Sequence, residues 1–190
     1  NLTFKSKPAM NNPVFDTKKI IEGFNEDVSH IIKEFLERSS ELRLTQFLKY
    51  WNDTHMDCLF ANRFDPRELL EAITEMNKQL VMNLSDPKKH DIDSRTVMLY
   101  MMLCLFEKQP QRLRRKLRLS CDDAISVDKL CKQIQDSKGH EDALFAWQTL
   151  KKDDAIEFVE ERLVYGPSML NNRNHSAYDS TTKQPNPLKE

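Results

Sequence analysis

The residues best suited to chemistry lie between Lys108 and Arg118, where Lys108, Arg112, Arg114, Arg115, Lys116 and Arg118 fall within eleven positions. A guanidinium is a planar fork that matches phosphate oxygens, so clustered arginines can grip a nucleic-acid backbone without reading bases. The same charges would also suit a solvated face, or bridges to acids in this chain or in a partner. Leu113, Leu117 and Leu119 interleave with them and would anchor the segment on a core while the cations project. Six bases in a chain of net charge −1 leave seven net negative charges elsewhere. Attraction to a polyanion is therefore expected locally and not for the protein as a whole.

Enzymatic signals are poor. The chain has no glycine-rich phosphate loop, no Gly-x-Ser-x-Gly elbow and no HExxH. His30, His55, His90, His140 and His175 are isolated, and none pairs with a cysteine at metal-ligand spacing, so they receive no role. Asp122-Asp123 and Asp153-Asp154 resemble helix-start acids more than a catalytic pair. Cys58, Cys104, Cys121 and Cys131 fit no metal motif, which points to a reduced, intracellular protein. Three Asn-x-Ser/Thr tripeptides, at Asn1, Asn52 and Asn83, argue weakly the other way. No catalytic residue, metal, cofactor or small-molecule substrate is implied.

The elements that must position the basic segment read as helices. Three glycines and ten phenylalanines in 190 residues argue against an all-β fold, which needs turn residues at short intervals. Phe24, Val28, Ile31, Ile32, Phe35 and Leu36 trace one helix face, although Gly23 weakens the case for a single continuous helix from Thr17. Ser39-Ser40 offers an N-cap for a second helix carrying Leu44, Phe47, Leu48 and Trp51. A short helix is expected from His55 to Asn62. The next is best marked, with Asp65 as cap, Pro66 at the first helical position and Glu68 reaching back. Asp91 starts the central helix. From Val97 to Phe106 that helix is apolar all round and must be enclosed by others. Ten apolar residues are too few to span a bilayer, which needs roughly 20.

Beyond Pro110 and the basic segment, Val127, Leu130, Cys131 and Ile134 mark a helix ending near Gly139. Ala143, Ala146, Trp147 and Leu150 mark another, and Asp153-Asp154 is expected to cap a last helix through Ile156, Val159 and Leu163. The expected fold is all-α: an irregular multi-helix bundle of stacked antiparallel pairs, like a helical repeat. It would span residues 16–165, after a flexible arm over 1–15 and before a disordered tail over 166–190. Phe35, Phe60, Phe64, Phe145 and Trp147 exceed the apolar bulk such a bundle needs, and they are candidates for a partner interface.

Three blocks resemble a known family. Phe47-Leu48-Lys49-Tyr50-Trp51, followed by Met56 to Phe60, is similar to the Phe-x-x-Leu-Trp stretch and apolar-Phe pair of subunit 1 of the small nuclear RNA-activating protein complex. Arg95-Thr96-Val97-Met98-Leu99-Tyr100-Met101-Met102-Leu103 resembles that family's Arg-Val-x-Ala-Leu-Tyr-Leu-Leu-Tyr helix, and Gln109-Pro110 resembles the junction that follows it. His140 to Leu150 is similar to its Phe-Asp-Ala-Ala-Tyr-Ile-Phe-x-x-Leu block. The blocks keep the family's order from about Phe24 to Leu163. Two departures, Leu103 for an aromatic and Ser120-Cys121-Asp122-Asp123 for a Trp, mark a divergent member.

The resemblance implies a nuclear, non-enzymatic transcription subunit. It would act in a complex that recognises the proximal sequence element of small nuclear RNA genes, for RNA polymerases II and III. Its partners would be the zinc-containing and Myb-repeat subunits, and promoter DNA through the assembled complex, with no membrane involved. The basic segment is then a choice between promoter phosphate and an acidic partner. The competing reading is a helical-repeat adaptor without nucleic-acid contact.

Overall fold

The computed structural model describes residues 17–60, 66–137 and 140–160. The expected arm, the tail, the Asp65 cap, the Gly139 cap, Phe64 and Leu163 fall outside them. Six α-helices account for most of the described chain, as expected: α1 (Thr17–Arg38), α2 (Leu44–Asp53), α3 (Pro66–Leu84), α4 (Ile92–Lys108), α5 (Cys121–Asp136) and α6 (Glu141–Lys152). Two three-residue strands, β1 (Leu117–Leu119) and β2 (Ile156–Phe158), pair in parallel. No helix of the described residues is long and apolar enough to cross a membrane.

Helix α4 is the hub. Asp91 caps it by accepting a 2.9 Å hydrogen bond from the Ser94 N–H, and Asp93 adds a negative charge at its positive end. From Arg95 to Phe106 every residue is buried, and α1, α2, α3, α5 and α6 all pack against this helix. Each large apolar side chain so enclosed contributes about 1.5–3 kcal/mol. Gln109 and Pro110 end it.

The residues that carry the family resemblance meet in this core. Phe47 packs edge-on against Phe35, with ring centroids 5.2 Å apart, and lies 5.9 Å from Trp51 and 5.7 Å from Tyr100. The Tyr100 hydroxyl donates to the Leu42 carbonyl at 2.7 Å, and burial pushes its pKa up. Tyr50 donates to Glu34 Oε2 at 3.0 Å, and burial together with that carboxylate raises its pKa to about 12. These motifs therefore record packing rather than chemistry.

Arg95 is the polar counterpart of that packing. It is 2% exposed, its Nε donates to the Leu84 carbonyl at 2.7 Å, and one terminal nitrogen donates to the Ser126 carbonyl and Oγ, each at 3.1 Å. Ser126 Oγ in turn donates to the Ser85 carbonyl at 2.8 Å. One guanidinium thus satisfies carbonyls at the C-terminal end of α3 and within α5 while projecting from α4. Burial lowers its pKa, opposed mainly by the Asp86 carboxylate.

Several elements differ from the sequence expectation, each for a local reason. Helix α1 runs unbroken through Gly23, where an added Cβ would meet open space. Helix α2 starts at Leu44 and not after Ser39-Ser40, because its cap comes from elsewhere in the chain. Asp142 of α6 accepts from the Leu44 N–H at 2.9 Å and pairs with Arg43 at 3.2 Å. The expected helix from His55 is a single 3-10 turn, Met56–Cys58, entered through His55 at a φ of 58°.

Helix α5 ends at Asp136, with Ser137 closing it. Its start confirms the reading of Asp122-Asp123 as helix-start acids. Ser120 and Asp123 form a reciprocal capping box, with the Ser120 N–H donating to Asp123 Oδ2 at 2.9 Å. Among the described residues, which end at 160, the expected last helix does not form. Asp154 adopts a φ of 53°, redirecting the chain after α6, and Ile156 to Phe158 pair with β1 across the α5–α6 crossover.

Two stability effects follow. Arg95→Ala strands the Leu84 and Ser126 carbonyls, so urea unfolding should show a loss of about 3 kcal/mol. Arg95→Lys should recover only part of it, because an ammonium cannot span the two directions of the fork. Gly23→Ala should instead stabilise the protein by about 1 kcal/mol, read from the same unfolding curves.

Candidate nucleic-acid interface

The basic segment is not a helix. After Lys108 at the exposed end of α4, Gln109 is 3% exposed and its Oε1 accepts from the Arg115 N–H at 2.6 Å. That bond closes a tight loop. Inside it Gln111–Leu113 forms a 3-10 turn, with the Leu113 N–H on the Pro110 carbonyl at 2.8 Å. The far end is nailed down by β1, whose Leu117 and Leu119 are fully buried against α3 and α5. The leucines anchor the segment as the sequence pattern suggests, and Leu113 is half-buried. Asn77 of α3 adds a long hydrogen bond, 3.5 Å, to the Arg115 carbonyl.

The six cations divide into two groups. Arg114 lies over the Phe106 ring at 4.6 Å, donates to the Glu107 carbonyl at 3.3 Å and sits 3.8 Å from its carboxylate. Lys116 pairs with Asp154, and Arg118 pairs with Glu157 across the β1–β2 ladder at 3.4 Å. These three are bridged within the chain. Lys108, Arg112 and Arg115 are exposed, and among the described residues no carboxylate pairs with their side chains. Lys108 ends α4, and Arg112 and Arg115 sit on a loop held at both ends, so three uncompensated charges face solvent from a fixed base. Exposed ion pairs are worth about 0–1 kcal/mol each, so these bridges add little stability and act mainly by offsetting the charge of Arg114, Lys116 and Arg118.

The aromatic candidates fare differently. Phe35 is 1% exposed and Trp147 is 5% exposed, so both are core residues, and neither can form a partner face. Their helical spacing places them on the inner faces of α1 and α6, where bulk is needed to enclose α4. Phe60 is half-buried against the core. Phe145 stands 60% exposed on α6. Sequence reading missed Phe158, at 68% exposed, and Ile125, at 53%. Ile156-Glu157-Phe158 alternates with a period of two, as does Leu117-Arg118-Leu119, but three residues are too short a run for that alternation to signal a strand.

His140 also does more than its isolation suggested. Its Nε2 lies 2.8 Å from Asp93 Oδ1, joining the start of α6 to the start of α4. Cys104 is buried, and burial raises its thiol pKa to about 12, so it packs as a hydrophobe. All four cysteines are free. Among the described residues no group of three or more His, Cys, Asp or Glu side chains could hold a metal ion.

Compared with known families, residues 24–190 match the profile described as small nuclear RNA activating complex (SNAPc), subunit 1. A search of curated proteins returns no match. The family match begins at Phe24, a buried residue of α1, and takes in every other described element that encloses α4. With nearly the whole chain matched, this protein belongs to the family of subunit 1 of the small nuclear RNA activating complex.

Proposed function

We propose that the chain is a non-enzymatic helical scaffold subunit of a nuclear, promoter-binding complex. In this reading the complex recognises the proximal sequence element and supports small nuclear RNA transcription by RNA polymerases II and III. The chain meets the zinc-containing and Myb-repeat subunits, and Lys108, Arg112 and Arg115 of its basic segment lie along the promoter backbone. The observation that carries the nucleic-acid part is the set of Lys108, Arg112 and Arg115, exposed and without an acid partner among the described residues. Cations on a pinned loop suit phosphates, which position a protein on DNA without specifying sequence. Base reading is then left to other subunits.

The second reading places the same loop against an acidic partner subunit. It is favoured by Arg114, Lys116 and Arg118, which already pair with carboxylates in this structure. Salt dependence separates the two. Replacing Lys108, Arg112 and Arg115 with glutamine in the assembled complex should flatten the plot of log affinity against log salt by about 0.9 for each lost phosphate contact. An unchanged slope with intact assembly would place the loop against protein.

A further inference from the structure

The β1–β2 pair has one edge that the described residues leave open. In the observed register Leu117 lies opposite Ile156 and Leu119 opposite Phe158. The Leu117 N–H donates to the Ala155 carbonyl at 2.7 Å, and the Val159 N–H donates to the Leu119 carbonyl at 2.9 Å. The ladder therefore uses Ala155, Glu157 and Val159, and the N–H and C=O groups of Ile156 and Phe158 point away from β1. Among the described residues no backbone group bonds to them. An exposed strand edge of this kind is a template for another strand.

Two further observations say what fits there. Side chains alternate along a strand, so Phe158 shares the face of Ile156, which packs against the core. Phe158 is nevertheless 68% exposed, while its register partner Leu119 is fully buried. Among the described residues, an apolar side chain beside the open edge thus lacks a neighbour on the side away from β1. The charge around that edge is of one sign. Asp153, Asp154, Glu157 and Glu160 are the only charged residues from 153 to 160, and Lys116 and Arg118, which bridge two of them, lie on the β1 side.

We propose that β2 is a docking edge for an extended segment of a partner subunit, which adds as a third strand and alternates basic with apolar residues. Its backbone bonds to Ile156 and Phe158, its apolar side chains cover Phe158, and its bases face Asp153, Glu157 and Glu160. This mode suits a two-stranded ribbon, which is marginal alone and gains most from a further strand. The inference rests on the chain working within the assembled complex.

Residue-resolved amide exchange on the full chain, alone and in the reconstituted complex, tests it. In the isolated chain the Glu157 and Val159 amides should be protected, and those of Ile156 and Phe158 should exchange freely. In the complex the latter two should slow at least ten-fold. Phe158→Asp, and separately a charge reversal of Asp153 and Glu160 to lysine, should each weaken association at least ten-fold while Val159 protection stays unchanged. Unprotected Ile156 and Phe158 in a complex that has assembled would overturn the docking edge and leave the subunit assignment standing. Protection already present in the isolated chain would mean that its own residues cover the edge, which also overturns the proposal. Failure of the chain to assemble would overturn the subunit assignment and the docking edge together.

Discussion

From Val97 to Phe106 no side chain of α4 is more than 8% exposed, and this burial is the constraint on which the rest of the molecule depends. A helix without a polar face has to be enclosed, so the other five helices are arranged around it. Enclosure creates a polar problem at the helix ends, where carbonyls and N–H groups are buried with no partner in their own helix. The chain solves it over long sequence distances. Arg95 reaches out of α4 to carbonyls at the end of α3 and in α5, Tyr100 reaches the Leu42 carbonyl ahead of α2, and Asp142 caps α2 from α6. Removing any of these leaves a buried group unpaired, which costs more than the net gain of an average hydrogen bond.

Helical periodicity made most of this architecture legible in advance. Phe24 to Phe35, Leu44, Phe47 and Trp51, and Val127 to Ile134 are buried on the faces their spacing indicates, whereas Leu48, expected beside Phe47 on the inner face, is 41% exposed. What escaped was set by contacts between distant residues. The start of α2 could not be placed from Ser39-Ser40, because its capping carboxylate lies 98 residues away. Ile156 to Phe158 form a strand because Asp154 turns the chain and β1 offers a ladder, and three residues are too few to show that in a periodicity window. Aromatic content misled for a related reason. Phe35 and Trp147 looked surplus to a two-layer bundle of this size, yet enclosing a helix on all sides needs more bulk than covering one face.

The candidate site was half legible. Residue type and spacing located the cations and their leucine anchors, and the structure agrees that Leu117 and Leu119 are buried. Sequence could not say that Glu107, Asp154 and Glu157 would bridge half of the bases, since two of those acids arrive through the β2 pairing. The same short ribbon therefore governs both surfaces. On one side it fixes Lys116 and Arg118 against acids of β2, leaving Lys108, Arg112 and Arg115 as the uncompensated charge. On the other the described residues leave the outer edge of β2 open beside Phe158. The membership of the family gives both features a setting, a subunit held among other subunits.

The central functional claim is that the uncompensated cations, and not the bridged ones, lie along nucleic acid. A photoreactive amino acid placed singly at Arg112, Arg115, Lys116 or Arg118 in the complex assembled on promoter DNA tests it directly. Positions 112 and 115 should give adducts to a DNA strand, and positions 116 and 118 should give few or none. Adducts from 112 and 115 to protein subunits alone would contradict the claim and assign the loop to subunit assembly.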